Sequence, residues 1–178
     1  MEEEIHTTIH RTAYFIMGPE SSGTRMLTKA FCNLGIYGDF GHSQRMDNLD
    51  FSQTPASLVI RRSIPHGGGW PQIAGIVNKL SQAGYRSITP ILILRNMGVV
   101  ASSQVQRGHV KSESEARVNI ARAVNLVYTE LASVGKLPTV VVYEAFVNHV
   151  TVRKAFFQSL GLREPVMDYY DANVKYKL

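Results

Sequence analysis

Four short runs of the chain are almost continuously apolar: Ala13–Met17 (AYFIM), Ser57–Ile60 (SLVI), Ile88–Leu94 (ITPILIL) and Thr139–Val142 (TVVV). A strand with one wet face alternates apolar and polar residues, whereas a strand covered on both faces does not have to. The four runs therefore predict buried parallel strands. The stretches between them carry a helical period. Thr24–Leu34 reads as a helix stopped at Gly35. Pro71–Ala83 is a second, with proline near its start and Gly84 beyond its end. Val99–Arg107 is a third. In Glu113–Val134, the residues Ile120, Val124, Val127 and Leu131 form one stripe, and Ser112 with Glu115 has capping-box spacing. A last helix is predicted over Val152–Leu160, ended by Gly161. Strands alternating with helices imply βαβ units, hence a three-layer α/β/α fold around a central parallel sheet. No repeat, linker-like tract or clear boundary divides the chain, so residues 1–178 are expected to form one domain.

Composition narrows the function classes. With 44% apolar and 19% charged residues the chain suits a buried core, and global disorder is excluded. No apolar run approaches the ~20 residues that a membrane span requires. The N-terminal stretch MEEEIHTTIHR is acidic where a secretory signal is basic and then apolar, so a cytoplasmic setting without membrane attachment is expected. The single cysteine, Cys32, excludes an intramolecular disulfide and a cysteine-built metal site, and it reads as a core residue of the first helix. Lys and Arg number 19 against 14 Asp and Glu, a net charge of +5. Such an excess attracts anions of any kind. No aromatic-interleaved basic stripe points to nucleic acid. Arg107, Lys111 and Arg117 read as a solvated face.

In parallel α/β folds ligands collect at the carboxyl ends of the strands. After the first strand comes Gly18-Pro19-Glu20-Ser21-Ser22-Gly23-Thr24-Arg25, running directly into a helix. Glycines allow a tight turn, and a helix start offers unpaired N–H groups and a positive dipole end to an anion. The glycines have Walker A spacing, but Thr24 stands where that motif has lysine and Arg25 where it has the magnesium-binding hydroxyl. After the third strand come Arg95 and Asn96, with Ser103 eight residues beyond Arg95. No apolar strand is followed directly by the aspartate that positions magnesium in P-loop hydrolases. A cationic strand end favours an anion held without a metal. No His, Asp and Glu have zinc-ligand spacing, and no metal is expected.

Together these residues carry a resemblance. The stretch YFIMGPESSGTRML looks like the 5′-phosphosulfate loop of the sulfotransferases, and LILRNMGVVASS resembles their 3′-phosphate motif. VVVYEAFV is similar to the family's late strand ending in Tyr-Glu, and FFQSLGL to the helix after it. The segments occur in family order and cover most of the chain. The resemblance implies a P-loop NTPase-like fold and 3′-phosphoadenosine 5′-phosphosulfate (PAPS) as co-substrate. It further implies metal-free transfer of a sulfuryl group to a hydroxyl or amine. By position, Ser21, Ser22, Gly23, Thr24 and Arg25 correspond to the 5′ side, Arg95 and Ser103 to the 3′-phosphate, and Tyr143 to the adenine. There are departures. Ser21 replaces the usual Lys or Arg, Met26 stands near the usual adenine-stacking aromatic, and the late Arg-Lys-Gly clamp is missing, with only Lys175 and Lys177 in its vicinity.

With Ser21 uncharged, the second strand is the next source of positive charge. It runs into Arg61 and Arg62, of which alternation lets one face the site; the reading favours Arg62, and a shifted register gives Arg61. His66 follows in the same segment and is the candidate general base, since imidazole titrates near neutral pH. Ser63 occupies the place where family members often have histidine. His42, with Asp39 nearby, is the second candidate for the base, while His6, His10, His109 and His149 fall at no recognised site position. Trp70, after the glycines at 67–69, is a candidate wall for an acceptor pocket. Two competing classes remain: a P-loop nucleoside or nucleotide kinase, against which the missing lysine and aspartate speak, and a non-catalytic module that binds a nucleotide or an anionic glycan.

Overall fold

The computed structural model of the chain describes residues 11–38 and 55–176. All four expected strands are present: β1 (Arg11–Pro19), β2 (Ser57–Ile64), β3 (Tyr85–Leu94) and β4 (Thr139–Val142). They form one sheet in the order β2-β1-β3-β4, with every neighbouring pair parallel. Their carboxyl ends therefore share one edge. The helices are α1 (Thr24–Cys32), α2 (Ile73–Gln82), α3 (Met97–Gln106), α4 (Glu113–Ser133), α5 (Tyr143–Asn148) and α6 (Val150–Ser159). A 3-10 helix follows at Ala172–Tyr176. None of the helices described is long and apolar enough to cross a membrane.

Burial on both faces explains the unbroken apolar runs. Along β1, Ala13, Phe15 and Met17 pack towards α2 and α4, with Ile73, Val77, Leu80, Val127 and Leu131. Tyr14 and Ile16 pack the opposite way, with Leu27 and Phe31 of α1 and with Phe146 and Phe157 of α5 and α6. The chain is thus an α/β fold whose parallel sheet carries helices on both faces. Each large side chain so buried contributes roughly 1.5–3 kcal/mol against exposure. On the α1 side the aromatic rings meet edge to face, with centroids 5.6 Å apart for Phe146–Phe156 and 5.1 Å for Phe156–Phe157.

Several boundaries differ from the hydropathy reading. The apolar signal of the second run ends at Ile60, yet β2 continues to Ile64, with Arg61 paired to Ile16 and Arg62 to Met17. The two arginines lie inside the strand, not after it. Helix α3 starts at Met97, two residues early, because Asn96 caps it: its side-chain oxygen accepts the Val99 N–H at 3.2 Å. Helix α5 was not expected, since its six residues follow β4 without a turn signal. Half of the predicted capping box of α4 is formed: Ser112 Oγ accepts the Glu115 N–H at 3.2 Å, while the Glu115 carboxylate takes the Lys111 N–H at 3.0 Å in place of that of Ser112.

Candidate functional site

The turn from β1 to α1 is built by two close approaches. A Cβ on Gly18 would lie 2.4 Å from Ser22 Oγ and 2.6 Å from the Ile93 carbonyl. Gly23, at φ +107°, would bring one to 2.7 Å from the Tyr143 ring. Ser21 is also left-handed, at φ +70°. The loop is tied down from outside: Glu20 N–H donates to the Ile64 carbonyl at 3.2 Å, Gln104 Nε2 to the Glu20 carbonyl at 2.9 Å, and Arg95 Nη1 to the Ser21 carbonyl at 3.0 Å. Among the described residues no side chain caps the start of α1. Its first N–H groups have no helical acceptor, and the dipole end is positive. The side-chain oxygens of Ser21 and Ser22 are buried without a hydrogen-bond partner among the described residues, and so is Arg95 Nη2. Buried polar atoms are seldom left so, and these three lie around one loop.

This turn floors a cleft of about 770 Å³ at the carboxyl edge of the sheet. Among the described residues, six cations line it (Arg25, Lys29, Arg61, Arg95, Arg107 and Lys175) against two carboxylates, Glu20 and Asp168. Glu20 is itself 3.2 Å from His109 Nδ1. Arg61 is only 8% exposed. Thr24 Oγ1 and Ser63 Oγ share a hydrogen bond at 3.3 Å, joining the loop to the end of β2. Tyr143 stands at the end of β4, with the Arg95 guanidinium 4.5 Å from its ring centre. Burial raises the Tyr143 phenol above its ordinary pKa, although the Ala172 N–H and the Arg95 charge oppose the rise.

The far side of the cleft is held by residues close to the end of the chain. Arg95 Nε donates to Asn173 Oδ1 at 2.6 Å. Asn173 Nδ2 donates to Glu144 Oε1 at 2.9 Å, and the same oxygen accepts the Asn96 N–H at 2.9 Å. Tyr176 donates its hydroxyl to Ser103 Oγ at 2.9 Å. Burial alone raises the Tyr176 phenol, but the bond with Ser103 and the charges of Lys175 and Arg107 outweigh it, so its pKa lies below the ordinary value. Ser103, 1% exposed, is therefore already engaged. Of the Arg95 guanidinium nitrogens, Nη2 is buried without a hydrogen-bond partner among the described residues.

The structure brings Ser21, Gly23, Thr24, Arg25, Arg95 and His66 to one cleft, with buried Ser22 beneath the loop. Of the two arginines, Arg61 lines this cleft and Arg62, the one favoured from sequence, a neighbouring hollow, because successive side chains of β2 face opposite ways. His66 is exposed and borders both. Arg107, assigned to a solvated face, lines the cleft, as does His109, while Arg117 pairs with Glu113 at 3.8 Å on the surface. Lys29 went unread, although its position four residues after Arg25 on one helix was a usable signal. Asn173 and Tyr176 carried none. Cys32 is half-buried against the core. His42, Asp39, His6, His10 and Lys177 lie outside the described residues. No group of three His, Cys, Asp or Glu able to hold a metal occurs among the described residues. The sequence matches no protein-family model and no curated protein.

Proposed function

We propose that the chain is a PAPS-dependent sulfotransferase of P-loop-like fold. It would move a sulfuryl group to a hydroxyl or amine, with arginine and lysine side chains supplying the positive charge. The observation that carries this reading is the set of buried donors without a partner among the described residues, around the start of α1: Ser21 Oγ, Ser22 Oγ and Arg95 Nη2. A multiply anionic nucleotide is the ligand that such donors and six surrounding cations suit best.

In this reading His66 accepts the acceptor's proton as the acceptor oxygen or nitrogen bonds to sulfur. The bond from sulfur to the bridging oxygen breaks in line, and its electron pair stays on the 5′-phosphate. Arg25, Lys29 and Arg61 face the charge that accumulates there, standing in for the cation missing at Ser21. Isothermal titration with adenosine 3′,5′-bisphosphate tests the donor site. Micromolar binding is expected, and none at hundreds of micromolar overturns the reading. Arg95→Ala should abolish the binding. His66→Ala should keep it and lower transfer of labelled sulfate by roughly 10²–10⁴-fold. Ser21 and the engagement of Ser103 by Tyr176 favour one second reading, a module that binds the nucleotide without chemistry. Its mark is bisphosphate binding with no transfer to any acceptor.

A further inference from the structure

Arg95 follows the end of β3 with its guanidinium held on two sides. Its Nη1 donates to the Ser21 carbonyl of the loop at 3.0 Å, and its Nε to Asn173 Oδ1 at 2.6 Å. The flat fork lies over the Tyr143 ring, 4.5 Å from its centre. Nη2 is what remains, buried without a partner among the described residues. An unrestrained arginine samples many rotamers, and a ligand that binds it must first arrest them. Here two hydrogen bonds and a ring do so beforehand. Asn173 is 5% exposed, and its amide can take one orientation only. Arg95 Nε only donates, so it needs Oδ1; the ionised Glu144 carboxylate only accepts, so it needs Nδ2, at 2.9 Å. The segment that carries Asn173 is fixed by the residue before Glu144. The Tyr143 hydroxyl accepts the Ala172 N–H at 3.0 Å and donates to the Tyr170 carbonyl at 3.3 Å. A neutral amide suits this place, because it accepts from Nε without cancelling the guanidinium charge, as a carboxylate in direct contact would.

We propose that Asn173 is a positioning residue of the donor site: with Glu144 behind it, it aims Arg95 Nη2 at the 3′-phosphate of the bound nucleotide. The proposal rests on the cleft being the donor site, with Arg95 on that phosphate. It gives the last residues of the chain a part in telling a bisphosphate from a monophosphate, 78 positions away from the arginine they steady.

The test compares adenosine 3′,5′-bisphosphate with adenosine 5′-monophosphate by calorimetry on the full chain, wild type and Asn173→Leu. Leucine fills the space of the amide and removes both of its side-chain bonds. The variant should weaken the bisphosphate by about tenfold or more and the monophosphate by no more than about twofold. A purely structural role weakens both alike, and that result, or an unchanged bisphosphate affinity, overturns the proposal. The free protein supplies a second readout, the Arg95 Nε–H resonance of the ¹⁵N-labelled chain, assigned by its loss in Arg95→Lys. It should exchange slowly with water in the wild type and quickly in Asn173→Leu. Fast exchange in the wild type overturns the proposal without any nucleotide. Neither nucleotide binding the wild type at hundreds of micromolar overturns the donor reading and the proposal with it, whereas binding of both with a selectivity that Asn173→Leu leaves intact overturns the proposal alone.

Discussion

Gly23 opens α1 at φ +107°, a conformation that residues with a Cβ rarely adopt, and Tyr143 fills the space a Cβ would need. Gly23→Ala is expected to cost about 1–3 kcal/mol, seen as a lower thermal midpoint, and to weaken bisphosphate binding because the loop and Tyr143 must part. Tyr169 behaves differently. Burial, then the charge of Glu164, push its phenol up to about 12 from an ordinary 10.0, with Arg153 opposing. The unfolded chain ionises first as pH rises, so this contribution to stability is intact below about pH 10 and is lost between there and 12. The hydroxyl is buried without a partner among the described residues. Tyr169→Phe should unfold no more easily at neutral pH and should lose stability less steeply above pH 10, by thermal scans across that range. At this scale the loop residues and Arg95 were legible, because each lies in a contiguous motif. Asn173 was not, since its role is set by contact with a residue 78 positions away.

Elements were legible where local chemistry ends them. Ser112 both breaks the chain's previous course and accepts a first-turn N–H, so α4 begins where the capping box places it. Ser112→Ala should cost about 1 kcal/mol in denaturant unfolding, with the slope of the transition unchanged. Strand β2 was legible only in its first half. Its last residues, Arg61 to Ile64, are extended because the ladder to β1 continues, and hydropathy carries no record of a ladder. That is why Arg61 and Arg62 could not be assigned to faces beforehand. Helix α5 was missed for a related reason: six residues hold less than two full periods.

For the molecule as a whole, the sheet divides the interior into two cores, and the aromatic one underlies the cleft. Phe157 is fully buried there, with ring centres of Phe31 and Phe146 at 5.6 and 6.0 Å. Phe157→Ala should destabilise by about 3–5 kcal/mol in denaturant unfolding. It should also loosen α1, measured as faster amide exchange there than in α4, because Phe31 loses its support. The sequence by itself determined the α/β class, the four strands, most helix ends and the glycine-rich loop after β1, since hydropathy period, caps and glycine-rich turns act over a few residues. The tertiary structure alone decided which cations share the cleft, that Arg61 and not Arg62 is among them, and that Asn173 and Tyr176 engage Arg95 and Ser103. Strand register and the path of the chain's last residues are set by packing across the whole sheet, which no local stretch encodes.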